Sequence, residues 1–216
     1  MQNIRGVIFD LDGTLIDSMW IWGAVAEKYV ESNGGTMTPT FREDFRSLNT
    51  TEEAQYYIDH CGIDLPLEEV IQGRDNMMLE HLKKEVKLKS GVLEVLKELK
   101  KRGIRICIAT ATERRLVEPT VDRFGLDEFV ERIFTCTEEN TSKNSPKIYF
   151  RAAEFLGTDI SQTLVVEDAL YAATTAKKAG FVVAGVYDNV SDNQQEELKA
   201  ISDYYWITMD EMLDCF

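Results

Sequence analysis

Val7-Ile8-Phe9-Asp10-Leu11-Asp12-Gly13-Thr14-Leu15 begins as an apolar run and ends in two aspartates one residue apart, followed by a glycine. An apolar run closed by a turn signal reads as a buried strand that stops at a loop. A carboxylate at the edge of a core is costly unless something compensates it. A single aspartate there would read as a turn cap. Two aspartates at the mouth of a buried strand call for a cation, a hydrogen-bond network or chemistry.

The strand Ile4–Asp10 is followed by similar runs at Ile104–Thr110, Ile133–Cys136, Leu164–Glu167 and Val182–Tyr187. Tyr204-Tyr205-Trp206-Ile207 reads as an edge strand. Helical segments lie between them. The alternation predicts an α/β fold, a Rossmann-like, mostly parallel sheet covered on both faces. Sites in such sheets lie beyond the carboxyl ends of the strands, where Asp10, Thr110 and Glu167-Asp168 all fall.

The first two strands are separated by roughly ninety residues, where a βαβ unit needs about thirty. The excess carries helical patterns. Met19, Trp22, Ala26, Tyr29 and Val30 form one stripe, stopped by Asn33-Gly34-Gly35. Thr38-Pro39 predicts a helix start, and Thr50-Thr51-Glu52-Glu53 matches a capping box. Leu67, Val70, Ile71, Met78 and Leu82 suggest a longer helix. The expectation is an α-helical insert over residues 17–88, inside a core domain built from 1–16 and 89–216. In the core, Ser90 is expected to cap a helix bearing Val92, Leu93, Leu96 and Leu99, and Pro119 to kink or begin another. Ser191–Gln194 and Thr208–Glu211 read as late capping boxes.

The 216 residues carry a net charge of −14, which argues against nucleic acid as the main partner. An anionic substrate would need a locally basic or metal-filled site. No apolar run is long enough to cross a bilayer, and no secretory leader is visible. The four cysteines form no Cys-x-x-Cys pair and only two histidines exist, which argues against a zinc site. Scattered, reduced cysteines fit a cytoplasmic protein. No Gly-x-x-x-x-Gly-Lys phosphate loop is present.

Four stretches, taken in order, resemble the signatures of the haloacid-dehalogenase-like (HAD) phosphotransferase superfamily. They are Asp10–Leu15, the strand end Ile108-Ala109-Thr110-Ala111-Thr112, the stretch Ser142–Tyr149 with Lys143 and Pro146, and Leu164–Asp168. Asn144 and Lys147 depart from the third pattern, and Ala172 stands where a glycine is common. The place of the insert is similar to that of the helical cap in the β-phosphoglucomutase-like branch. The resemblance implies a Mg²⁺-dependent phosphatase acting on a small phosphorylated metabolite. In it Asp10 attacks phosphorus and becomes an aspartyl-phosphate. Asp12 protonates the departing oxygen, then takes a proton from water, and gives its main-chain carbonyl to the metal. The hydroxyl of Thr110, the Ala111 amide and Lys143 hold phosphoryl oxygens. The metal ligands are Asp10, Asp12, Asp168 and Glu167, with Asp168 the direct one of the last pair. Hard oxygen ligands without soft ones suit Mg²⁺.

Within that resemblance a sugar-phosphate mutase is the rival. Such mutases use a histidine and an arginine where this chain has Trp22 and Thr51, and a lysine where it has Glu113. A dehalogenase would leave Asp12 without a role. A non-catalytic, partner-binding protein on the same fold is the remaining alternative. Trp20 and Trp22 lie roughly 200° apart around a helix, so they face different sides. Arg42, Arg46 and Arg74 read as a solvated helical face before they read as substrate contacts. A monomer is the default expectation, with no membrane or nucleic-acid partner.

Overall fold

The structure, a computed structural model, describes residues 1, 3–39, 48 and 50–216. The helix expected after Thr38-Pro39, and Arg42 and Arg46, lie outside the described residues. The chain divides into two compact units, one of residues 1–17 and 87–216, the other of residues 18–86.

The first unit is built on a sheet. Its strands are β1 (Gly6–Phe9), β4 (Arg105–Thr110), β5 (Arg132–Thr135), β6 (Thr163–Glu167), β7 (Val182–Val186) and β8 (Tyr204–Trp206). Two short strands, β2 (Ile16–Asp17) and β3 (Lys87–Leu88), pair antiparallel where the chain leaves this unit and returns to it. The sequence gives no sign of them, because two-residue strands show no periodicity. The large sheet runs β5-β4-β1-β6-β7-β8, with every pairing parallel. From β1 the chain steps outward through β4 and β5, then crosses back to β6 on the other side of β1. The strand order therefore reverses beside β1, which is where ligand crevices form in open parallel sheets.

Parallel strands need helical crossovers, and these cover the faces. One face buries Ile8, Cys107, Ala109, Phe134, Val165 and Val183. It packs on Ile148, Tyr149, Ala152 and Leu156, then on Ala173, Ala176 and Leu198. These come from α6 (Lys147–Leu156), α7 (Leu170–Lys178) and α8 (Gln195–Ile201). The alternate residues Val7, Phe9, Ile106 and Ile108 are buried on the opposite face, and α4 (Val92–Lys101) packs on β4.

Helix α4 does not use Ser90 as its cap. Gly91 is the N-cap residue, at φ 83°, and a Cβ there would meet Asp210 N at 2.3 Å. Ser90 instead gives its carbonyl to Met209 N. Asp210 belongs to the 3₁₀ segment Met209–Cys215, whose capping box of Thr208 and Glu211 is formed. The other stretch read as a late box, Ser191–Gln194, falls inside the kinked 3₁₀ segment Asn189–Gln194, and α8 starts after it. Pro119 sits inside α5 (Arg114–Phe124), which runs through it.

The second unit consists of α1 (Met19–Ser32), α2 (Thr50–Cys61) and α3 (Leu67–Lys84) among the described residues. Its apolar cluster joins Ala26, Tyr29 and Val30 to Ala54, Tyr57, Cys61 and Val70. Two expectations fail here. Arg74 is not solvated: it is 4% exposed and paired with Glu53 and Asp75, with its guanidinium 4.8 Å from the centre of the Trp22 ring. Glu53 does not close a capping box, since its carboxylate accepts from Tyr57 and Arg74 inside the unit. A carboxylate beside an apolar stripe reads as a cap when the buried arginine that claims it lies 21 positions away. Trp20 and Trp22 do differ, the first exposed and the second half-buried.

Candidate active site

The site grows from the C-terminal ends of the three central strands. Asp10 follows β1 directly, and its amide still bonds Val166 O of β6 at 3.0 Å. After it the chain turns sharply. Gly13 N donates to Ile16 O, and the amides of Leu15 and Ile16 both return to Leu11 O. Gly13 stands at φ 77°, a left-handed conformation that a side chain resists. This turn holds Asp12 and Thr14 beside Asp10, both buried.

Glu167 ends β6, and Asp168 follows it. One carboxylate oxygen from each of Asp10, Glu167 and Asp168 lies within 4.8 Å of the others, and all three residues are buried. Lys143 enters this cluster from the loop before α6. Its Nζ is 2.5 Å from Asp10 Oδ1, as an ion pair, and donates to Glu167 Oε1 at 2.8 Å. Two of the three carboxylates thus share one ammonium. Burial raises the Asp10 carboxyl well above its ordinary range; Lys143 opposes this, while Glu167, Asp168 and Asp12 add to it. Asp168 is pushed up to about 7, chiefly by burial, then by Glu167 and Asp188. Lys143 is held well above the usual lysine value, because Asp10 and Glu167 overcome the cost of its burial.

The excess of negative charge matches a shortage of partners. Glu167 Oε2 and Asp168 Oδ2 are buried and accept no hydrogen bond among the described residues. Among the described residues, Asp10 Oδ1 has the ion pair with Lys143 alone. Unpaired carboxylate oxygens in a dry site are costly. Three buried carboxylates that each bring an oxygen within 4.8 Å of the others fit a hard divalent cation such as Mg²⁺, which prefers oxygen ligands.

Neighbouring side chains fix this set. Thr112 Oγ1 donates to Asp12 Oδ2 at 2.7 Å, and Thr14 Oγ1 to Asp168 Oδ1 at 3.3 Å. Thr110 Oγ1 accepts from Thr112 N at 3.1 Å, leaving the hydroxyl proton of a buried threonine for an acceptor. Tyr149 OH donates to Glu167 Oε1 at 2.7 Å. Asp188, just past β7, pairs with Lys89 at 2.9 Å, and Lys89 also donates to Tyr187 O.

The structure therefore brings Asp10, Lys143, Glu167 and Asp168 together. Asp12 is placed on the same turn as Asp10, and Thr110 at the tip of β4 beside β1. Ala111 follows Thr110 and is exposed. Lys147 points elsewhere, bonding Glu139 O. The sequence reading missed Thr112, Tyr149, Lys89 and Asp188. Asp188 had a signal, an acid closing an apolar strand as Asp10 and Asp168 do. Tyr149 had a fainter one, a phenol in a stripe that otherwise needs only apolar groups.

The family pattern of the haloacid dehalogenase-like hydrolases matches residues 7–186, a span that includes every residue of this cluster. The chain belongs to that family. Among its relatives is (DL)-glycerol-3-phosphatase 1 of Arabidopsis thaliana, 31% identical over 88% of this chain and 66% of the relative. Another is (S)-2-haloacid dehalogenase of Pseudomonas sp. strain YL, 25% identical over the whole of this chain and 96% of the relative. The crystal structure of CbbY from Rhodobacter sphaeroides in complex with phosphate superposes with a TM-score of 0.84. It covers 97% of this chain and 96% of that one at 23% identity, a likeness of fold. No helix among the described residues is long and apolar enough to cross a membrane.

Proposed function

We propose that the protein is a Mg²⁺-dependent phosphatase that hydrolyses a small phosphorylated metabolite through an aspartyl-phosphate on Asp10. The observation that carries the reading is the buried Asp10–Glu167–Asp168 cluster with too few hydrogen-bond donors, set beside a second, separately held aspartate. A bound cation would be held by Asp10, Asp168 and Glu167, with the Asp12 carbonyl, and would offset repulsion between a carboxylate and a phosphate anion.

An Asp10 carboxylate oxygen forms the bond to phosphorus as the bond from phosphorus to the leaving oxygen breaks. Asp12 gives its proton to that oxygen. Water then attacks phosphorus, Asp12 takes the water's proton, and Asp10 leaves as the free carboxylate. Lys143 and the Thr110 hydroxyl meet the equatorial oxygens, where transition-state charge spreads. The Thr112 hydroxyl, bound to Asp12 Oδ2, holds this carboxyl in place.

Relatives of this fold include phosphatases and a dehalogenase, so the fold does not choose between them. Asp12 does. Departing halide needs no proton, and a site for a haloacid has no use for three buried carboxylates gathered within 4.8 Å of one another. Against a mutase stand Trp22, Thr51 and Glu113, at positions where the resemblance leads one to expect His, Arg and Lys.

The test is phosphate release from a panel of phosphorylated metabolites, with and without Mg²⁺, for wild type, Asp10→Asn and Asp12→Asn. Metal-dependent release, abolished in both variants, is the expected result. Near-normal hydrolysis by Asp12→Asn would remove its assigned role. Release that ignores Mg²⁺ would remove the cation.

A further inference from the structure

Tyr149 is fully buried in the apolar cluster under the sheet, its ring 6.1 Å from that of Phe181. Phenylalanine would pack there as well and would bring no polar group to desolvate. The hydroxyl has one hydrogen-bond partner among the described residues, Glu167 Oε1. That same oxygen accepts from Lys143. Glu167 is therefore used unevenly. Oε1 takes two donors, 2.7 and 2.8 Å away, while Oε2 is buried and takes none.

We infer that Tyr149 is a positioning residue for the cation site: its hydroxyl pins Glu167 Oε1 from the core side and so reserves Oε2 for the cation or its water. The inference rests on the metal-dependent reading given above. Lys143 by itself cannot do this, because it also serves Asp10 and its flexible stem follows that charge. Tyr149 reaches Glu167 from a helix packed against the sheet, with two side-chain torsions fixed by its surroundings. Groups behind metal ligands act in this way, orienting the ligand and setting its basicity.

The test uses Mn²⁺, a paramagnetic stand-in for Mg²⁺, titrated by electron paramagnetic resonance into wild type, Tyr149→Phe and Phe181→Leu. Tyr149→Phe keeps the ring and removes only the hydroxyl, and Mn²⁺ affinity is expected to fall about tenfold. Phe181→Leu disturbs the same packing without touching the hydrogen bond. It should lower the thermal unfolding temperature and leave Mn²⁺ affinity unchanged. Equal Mn²⁺ binding by wild type and Tyr149→Phe overturns the role of Tyr149 while leaving the cation site standing. An equal loss in Phe181→Leu also overturns it, by showing that packing and not the hydroxyl matters. A wild-type protein that binds no Mn²⁺ overturns the metal-dependent reading together with the inference.

Discussion

At the scale of single residues, the site works by giving each carboxylate a different set of neighbours. Asp10 has an ammonium, Asp12 a threonine hydroxyl, Asp168 the Thr14 hydroxyl, and Glu167 both a lysine and a tyrosine. The Thr112–Asp12 bond is 2.7 Å long and buried, and removing its donor leaves a buried acceptor unsatisfied, a loss worth about 1–3 kcal/mol. Thr112→Val keeps the shape and removes the donor. If Asp12 moves the proton, kcat should drop about tenfold or more, with KM little changed, because the bond orders a group that works only in the transition state. Steady-state kinetics on the best substrate of the panel would check this, and a rise in KM at constant kcat would place Thr112 in substrate binding instead. Asp10, Asp12, Glu167 and Asp168 were legible in the sequence because each ends or follows an apolar strand. Thr112 was not, since a threonine past a strand tip reads as a turn residue. Only its approach to a side chain 100 positions away gives it a role.

Elements matter most where strands end. The returning strand β3 is followed at once by Lys89, whose amide bonds Leu15 O. Its ammonium crosses to the tip of β7, where Asp188 is 2% exposed. This pair ties the exit and entry strands of the first unit to the far half of its sheet, next to Asp168. Lys89 remains 14% exposed, so the pair is partly solvated, and Asp188→Asn is expected to cost about 2 kcal/mol of stability. Chemical denaturation of the variant would measure it, and a stability equal to wild type would show that the ammonium finds water at no cost. Strand positions could be read from the sequence to within two residues. Strands β2 and β3 could not, because they are too short for periodicity and are defined only by each other. Helix starts were read less well. Ser90 and the Thr50 box follow the rule for caps, yet Gly91 takes the first position because Asp210 lies too close for a side chain.

For the molecule as a whole, charge and burial oppose each other. The chain carries −14, and three of its buried acids, Asp10, Glu167 and Asp168, lie together. In the metal-free protein Asp168 is pushed up to about 7 from an ordinary 3.8. Between those values the folded chain holds a proton that the unfolded chain has lost, so stability falls as pH rises through the window. The unfolding temperature of metal-free protein should therefore decline from about pH 4 to pH 7, with a shallower decline in Asp168→Asn. Mg²⁺ should recover stability above pH 7 by taking the place of the protons. Differential scanning calorimetry across pH would test both parts, and identical pH profiles for wild type and Asp168→Asn would sink the argument. By itself the sequence determined the parallel sheet, the helical character of the insert and the residues at the strand tips. Those depend on periodicity and on where apolar runs stop, which are local properties of the chain. Tertiary structure alone decided that Arg74 and Glu53 are buried partners, that Lys143 lies between Asp10 and Glu167, and that Tyr149 and Thr112 hold carboxylates. Those depend on which distant side chains share a dry volume, where an unpaired polar group is costly and each must find its partner across the fold.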